Sequence, residues 1–189
     1  MYHQLPPAVQ FWPFLLAVDQ DLAQTTRQKG CACGGRLHRA NYPRKPRGAD
    51  DLPPDYAYRL SFCCACDGCR KRVTPPSVRF LGRKVYLFAV VVLVSAMRQG
   101  PSPRRVRELT QLFGADRRTL VRWQAFWREH VPQTPFWKVA RARLPAVSLL
   151  PHGLLDAFLD GVDPCQGWVQ LLRFLSPITL THGPPNAFL

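Results

Sequence analysis

Six of the seven cysteines in this chain fall in two short clusters. Cys31 and Cys33 lie in Gly-Cys-Ala-Cys-Gly-Gly. Cys63, Cys64, Cys66 and Cys69 lie in Phe-Cys-Cys-Ala-Cys-Asp-Gly-Cys-Arg, about thirty residues on. Thiolates bind Zn²⁺ strongly, and four of them close a tetrahedron, so two such clusters read as the two knuckles of a zinc ribbon. The first knuckle offers Cys31 and Cys33, a spacing tighter than the usual Cys-x₂-Cys. The Gly-Gly that follows lets the backbone turn and aim its amides at the sulfurs. In the second knuckle we expect Cys64 and Cys69 to be the ligands. Cys66 is the rival to Cys64, because Cys66-Asp-Gly-Cys69 has the commoner spacing. Cys63 and His38 are further alternates. A catalytic zinc keeps an open position beside a general base. No His-x-Glu or His-Glu-x-x-His string is present. We therefore expect one structural Zn²⁺ ion and no catalysis. Buried structural thiols without metal are the plainer alternative.

Charge supplies the second constellation. The net charge is +14, with 26 Lys and Arg against 12 acids. A field of that sign attracts nucleic acid or an anionic membrane surface. The charge is local. Residues 27–84 carry fourteen bases against four acids, and residues 98–143 carry eleven against three. The last 46 residues carry only Arg173 against three acids. Arg36, Arg39, Arg44, Lys45 and Arg47, with Arg70, Lys71 and Arg72, flank the knuckles and suit the phosphate backbone. A solvated ribbon edge would explain any one of them equally well.

These groups need elements to hold them. Residues 1–12 are expected to be irregular. Phe14–Arg27 carries Leu15, Leu16, Val18 and Leu22 at helical spacing and reads as a helix packed behind the ribbon. Arg36–Arg47 reads as a basic loop and residues 48–57 as an acidic, proline-containing one. Tyr58–Cys64 alternates like a strand, Arg70–Val73 like another, and Thr74-Pro-Pro ends the ribbon. Val85–Arg98 is β-branched and apolar, yet long and unbroken, and is expected to be a helix stopped at Gln99-Gly100-Pro101. The apolar run Val85–Met97 is too short to span a bilayer. Phe11–Val18 is not expected to be a signal peptide, because no positive stretch precedes it and Pro13 interrupts it. Pro103–Phe113 is an amphipathic helix with Val106, Leu109, Leu112 and Phe113 on one face. Gly114 turns the chain, and Asp116 caps a further helix to about His130. There Leu120, Trp123 and Trp127 face a core, while Arg117, Arg118, Thr119 and Arg122 lie at the end that meets DNA in a helix-turn-helix. A basic helical hairpin with a solvated face is the alternative. Ser148–Leu159 and Trp168–Leu175 are two more helices, linked through Gly161-Val162-Asp163-Pro164. The end from Ser176 looks frayed.

The fold class expected is therefore mainly α with a small β zinc ribbon, followed by a helix-turn-helix bundle. The divisions are 1–29 (helical segment), 30–80 (ribbon), 81–145 (helix-turn-helix) and 146–189 (helical tail). Three stretches carry a resemblance. They are Cys-Ala-Cys-Gly-Gly-Arg-Leu-His, the Phe-Cys-Cys run through Val-Thr-Pro-Pro, and Asp-Arg-Arg-Thr-Leu-Val-Arg-Trp. Together they resemble the N-terminal DNA-binding part of bacterial insertion-sequence transposases, and small zinc-ribbon/helix-turn-helix proteins of mobile elements. The resemblance implies binding of element-end duplex DNA. It does not imply strand cleavage, because Asp156, Asp160 and Asp163 are bunched within eight residues and form no triad drawn from separate strands. A homodimer or a transposase subunit is the protein partner it suggests, in a cytoplasmic, nucleoid-associated setting. An accessory transposase subunit and an adapter docking on RNA or a nucleoprotein are the rival functions.

Overall fold

A computed structural model describes residues 8–44, 54–80, 102–113, 115–144, 154–159 and 161–179. The chain is mainly helical with a small antiparallel sheet system beside it. The helix expected over Val85–Arg98, the Gly114 turn and most of the 48–57 loop fall outside the described residues.

Helix α1, Ala8–Lys29, begins six residues earlier than expected, so the segment before Phe14 is not irregular throughout. Pro13 lies inside it and removes one amide from the hydrogen-bond ladder. Leu15, Val18 and Ala23 are buried along one face, and Asp19 is buried among them at 1 % exposure.

The ribbon follows. Strand β1 (Leu37–Arg39) pairs with β4 (Phe62–Cys64), which pairs with β5 (Arg72–Val73), all antiparallel. Strand β2 (Tyr42–Pro43) pairs with β3 (Tyr58–Arg59) in a separate two-stranded sheet. The basic stretch Arg36–Arg47 is thus partly strand. The single strand expected over Tyr58–Cys64 is split at Leu60 and Ser61. The cause is a side chain twenty residues away: the Ser61 amide donates to Asn41 Oδ1 (3.1 Å) and the Ser61 carbonyl accepts from the Ala40 amide (2.8 Å). A side chain thereby stands in for a strand partner, as at a bulge. Pro54–Ala57 forms a 3₁₀ turn where a loop was expected, and it buries Tyr56. Ala23, Cys31, Leu37, Phe62 and Cys64 make a small core of their own.

A buried ion pair ties the ribbon's exit to α1. Asp19 accepts from Ser77 Oγ and the Val78 amide (both 2.6 Å) and from Arg79 Nε (2.7 Å). Arg79 also donates to the carbonyls of Tyr56 (3.2 Å) and Tyr58 (3.1 Å). Its guanidinium lies over the Tyr56 and Phe80 rings, 4.7 and 4.9 Å from their centroids. The charge is thus hydrogen-bonded and paired where it is buried, which a buried ion pair requires.

Helix α2 spans Pro103–Phe113, as expected, and α3 spans Arg117–Ala125. The helix beginning at Arg117 does not run as a regular α-helix to His130. It widens into a π turn at Phe126–His130, then a 3₁₀ turn at Val131–Gln133. Thr134 and Pro135 start α4 (Pro135–Ala140), the Thr134 hydroxyl accepting from the Trp137 amide (3.1 Å). That is the usual cap-then-proline opening. Helices α5 (Leu154–Leu159) and α6 (Pro164–Leu175) complete the core. Asp163 and Pro164 open α6 rather than link two helices, since Asp163 caps the Gln166 amide (3.0 Å). At Gly167 a β-carbon would lie 2.5 Å from the Phe158 carbonyl, so the α5–α6 approach needs glycine there. Leu15, Val18, Tyr56, Val78, Leu120, Trp127, Trp137, Trp168 and Leu171 share one core. Among the described residues no helix is long and apolar enough to cross a membrane.

Candidate metal centre and nucleic-acid face

The end of α1 leads through Gly30, at φ +74°, into the first knuckle. Gly34 adopts φ +81°, its amide donates to the Cys31 carbonyl (2.8 Å), and the Cys31 amide donates to the Gly35 carbonyl (3.0 Å). This tight loop puts Cys31 and Cys33 on one side. In the second knuckle the amides of Cys69 and Arg70 both donate to the Cys66 carbonyl (3.0 Å each), and Arg70 turns at φ 43°. Cys64 comes from β4, held by its amide donating to the Lys71 carbonyl (3.0 Å).

Cys31, Cys33, Cys64 and Cys69 converge, with all four sulfurs within 4.8 Å of one another. The Cys31–Cys69 and Cys33–Cys64 sulfurs are 3.7 and 3.4 Å apart. A tetrahedral ion with thiolates at about 2.3 Å spaces its sulfurs roughly 3.8 Å apart. The cage therefore fits a single metal ion. All seven cysteines are free thiols.

The alternates are placed elsewhere. Cys66 lies beside the cage, outside the four-sulfur set, and its amide donates to the Cys64 sulfur (3.4 Å). Cys63 faces away, its thiol donating to the Arg70 carbonyl (3.3 Å). His38 is opposite Cys63 in the sheet register, whereas Leu37 is opposite Cys64. Because strand faces alternate, His38 shares the Cys63 face and not the metal face.

Backbone amides polarise the sulfurs. The Gly35 amide, then the Cys64, Cys69 and Cys31 thiols, pull the Cys33 thiol down to about 6. The Cys66 amide pulls Cys64 down, but burial and the Cys33, Cys31 and Cys69 sulfurs outweigh it and leave Cys64 raised. The Lys71 amide, and more weakly the Cys64 sulfur, pull Cys69 down, but the Cys33 sulfur, burial and the Cys31 sulfur together leave it raised. Thiols this close resist ionising together, and a divalent cation removes that resistance. Gly35 closes the packing. A β-carbon there would lie 2.6 Å from the Cys66 sulfur and 2.7 Å from that of Cys64.

The basic residues divide into two groups. Arg36, Arg39 and Lys71 are exposed on the ribbon. Arg70 pairs with Asp67. Arg72 donates to the Ala40 carbonyl (2.7 Å) and Ser61 Oγ (3.1 Å) and lies over the Tyr42 ring, so it also braces the sheet. Arg44 is half-buried over Phe80. Lys45 and Arg47 lie outside the described residues. In α3, Asp116 Oδ1 accepts from the Thr119 amide (2.6 Å). That bond, the Thr119 hydroxyl and the charges of Arg122 and Arg118 hold the Asp116 carboxyl below its ordinary value. Leu120 and Trp127 are buried, while Arg117, Arg118 and Arg122 are exposed. Arg122 donates to Thr119 Oγ1 (3.1 Å), which steadies it.

Two supporting pairs escaped the sequence reading. Asp19 and Arg79 are sixty residues apart and carry no local signal of pairing. The α4 start did carry one, in Thr134-Pro135. The chain matches no protein-family model, and it is significantly similar to no curated protein and to no solved structure.

Proposed function

We propose that this chain binds double-stranded DNA sequence-specifically and that one structural Zn²⁺, held by Cys31, Cys33, Cys64 and Cys69, orders its basic ribbon. The observation that carries the DNA reading is α3. Its Leu120 side is sealed into the core, while Arg117 and Arg118 in its capped first turn and Arg122 further along are exposed. A helix so presented after α2 suits the major groove, where arginine reads guanine and grips phosphate. Four sulfurs favour Zn²⁺ over harder cations. The exposed ribbon bases Arg36, Arg39 and Lys71 then hold the flanking backbone. The three motif stretches favour mobile-element DNA as the target, bound by this chain alone or beside a transposase subunit.

The test is selection of bound sequences from a random duplex pool, with zinc measured on the same protein. A defined sequence and about one zinc per chain are expected. Arg118→Ala should flatten the sequence preference by about 1–3 kcal/mol at one position, while Lys71→Ala should weaken all duplexes similarly and reduce the salt dependence. Binding that is equally tight to every duplex, or to single-stranded RNA, would sink the reading.

A further inference from the structure

Val121 is out of keeping with its surroundings. It is 45 % exposed, on a helix whose preceding residue, Leu120, is fully buried. Arg117 lies one turn before it, Arg118 three residues before, and Arg122 next to it, all exposed. Residues three and four apart share a helix surface, so Arg117, Arg118 and Val121 form one patch with an isopropyl group between two arginines, and Arg122 lies one turn on from Arg118. A solvated basic face gains nothing from that group, and a β-branched residue is a poorer helix former than the arginines beside it.

We propose that Val121 is a specificity residue that packs on the 5-methyl group of a thymine. This rests on the DNA reading above. The argument is chemical. Valine has no donor or acceptor, so it cannot read the hydrogen-bonding pattern of a base edge. The methyl of thymine is the apolar group the major groove offers in unmodified DNA. Arg117 and Arg118 on either side of Val121 would draw in the phosphates and base edges that bring such a methyl within reach.

The experiment uses the full chain and the duplex recovered from the random pool. Each thymine is replaced in turn by deoxyuridine, which removes only the methyl. Each cytosine is replaced in a second series by 5-methylcytosine, which adds one. For the wild-type chain, one deoxyuridine position should weaken binding roughly three- to fivefold, the worth of one buried methyl. Val121→Ser should bind the thymine duplex that much more weakly and lose its sensitivity at that position, with an unchanged circular dichroism spectrum. A penalty that persists in Val121→Ser overturns the proposal. So does wild-type binding indifferent to every deoxyuridine, or a methyl effect confined to the cytosine series; in those cases the DNA reading stands. A chain that recovers no duplex at all overturns both.

Discussion

Arg79 Nε lies 2.7 Å from Asp19 Oδ2, and both side chains are fully shielded from solvent. The pair joins α1 to the segment leaving the ribbon, and two further hydrogen bonds at each partner complete it. Removing one member strands the other as an uncompensated buried charge. Asp19→Ala or Arg79→Ala should each cost about 3–5 kcal/mol, measured by urea unfolding. Replacing both with apolar residues of matching volume should cost much less than the sum. A strictly additive double variant would show that the two charges do not support each other.

The metal site separates four thiols from their neighbours. Cys64→Ser and Cys69→Ser should each abolish tight zinc binding, read by metal content and by the thiolate charge-transfer bands of a cobalt-substituted sample. Cys66→Ser and Cys63→Ser should leave one metal per chain. Loss of metal in Cys66→Ser, with retention in Cys64→Ser, would exchange their roles.

Gly35 gives a test that touches no ligand. Its missing β-carbon leaves the space occupied by the sulfurs of Cys64 and Cys66. Gly35→Ala should weaken zinc affinity by at least tenfold in a competition titration with a chelator. Adding Cys66→Ser should recover only part of that, since the Cys64 sulfur stays in the way.

Acid acts on the α3 cap. Asp116 has its carboxyl lowered in the folded chain, chiefly by the Thr119 amide. A lowered carboxyl contributes stability above its ordinary value, near pH 4, and loses it as pH falls through the lowered folded value. The thermal midpoint of the wild-type chain should therefore drop more steeply below about pH 4 than that of Asp116→Ala. At neutral pH the variant should melt a few degrees lower, of the order seen when a helix cap is lost. Parallel acid profiles would remove Asp116 from the account.

Local signals made much of this legible. The two cysteine clusters pointed to a four-sulfur cage, and Cys64 and Cys69 are the second-knuckle pair that joins it. Asp116 and the Pro103–Phe113 helix were readable because caps and amphipathic spacing act within a few residues. The rest depended on distant partners. Tyr58–Cys64 alternates like one strand, yet Asn41 intercepts Ser61 and divides it. Asp19 carries no local sign of its partner Arg79, sixty residues on. Arg72 reads as a phosphate contact, but part of its bonding capacity goes to Ala40 and Ser61.

Helix α1 is held at three points along its length. Ala23 lies in the ribbon's small core, Leu15 and Val18 lie in the main core, and Asp21 pairs with Arg173 of α6. A strut fixed along its length leaves the ribbon little freedom to swing against α3. For a duplex held by both, the distance between the phosphate grip and the base-reading helix is then set by the protein, as on a ruler. Inserting half a helical turn of DNA between the two contacts should release one of them, rather than be absorbed by a bending linker.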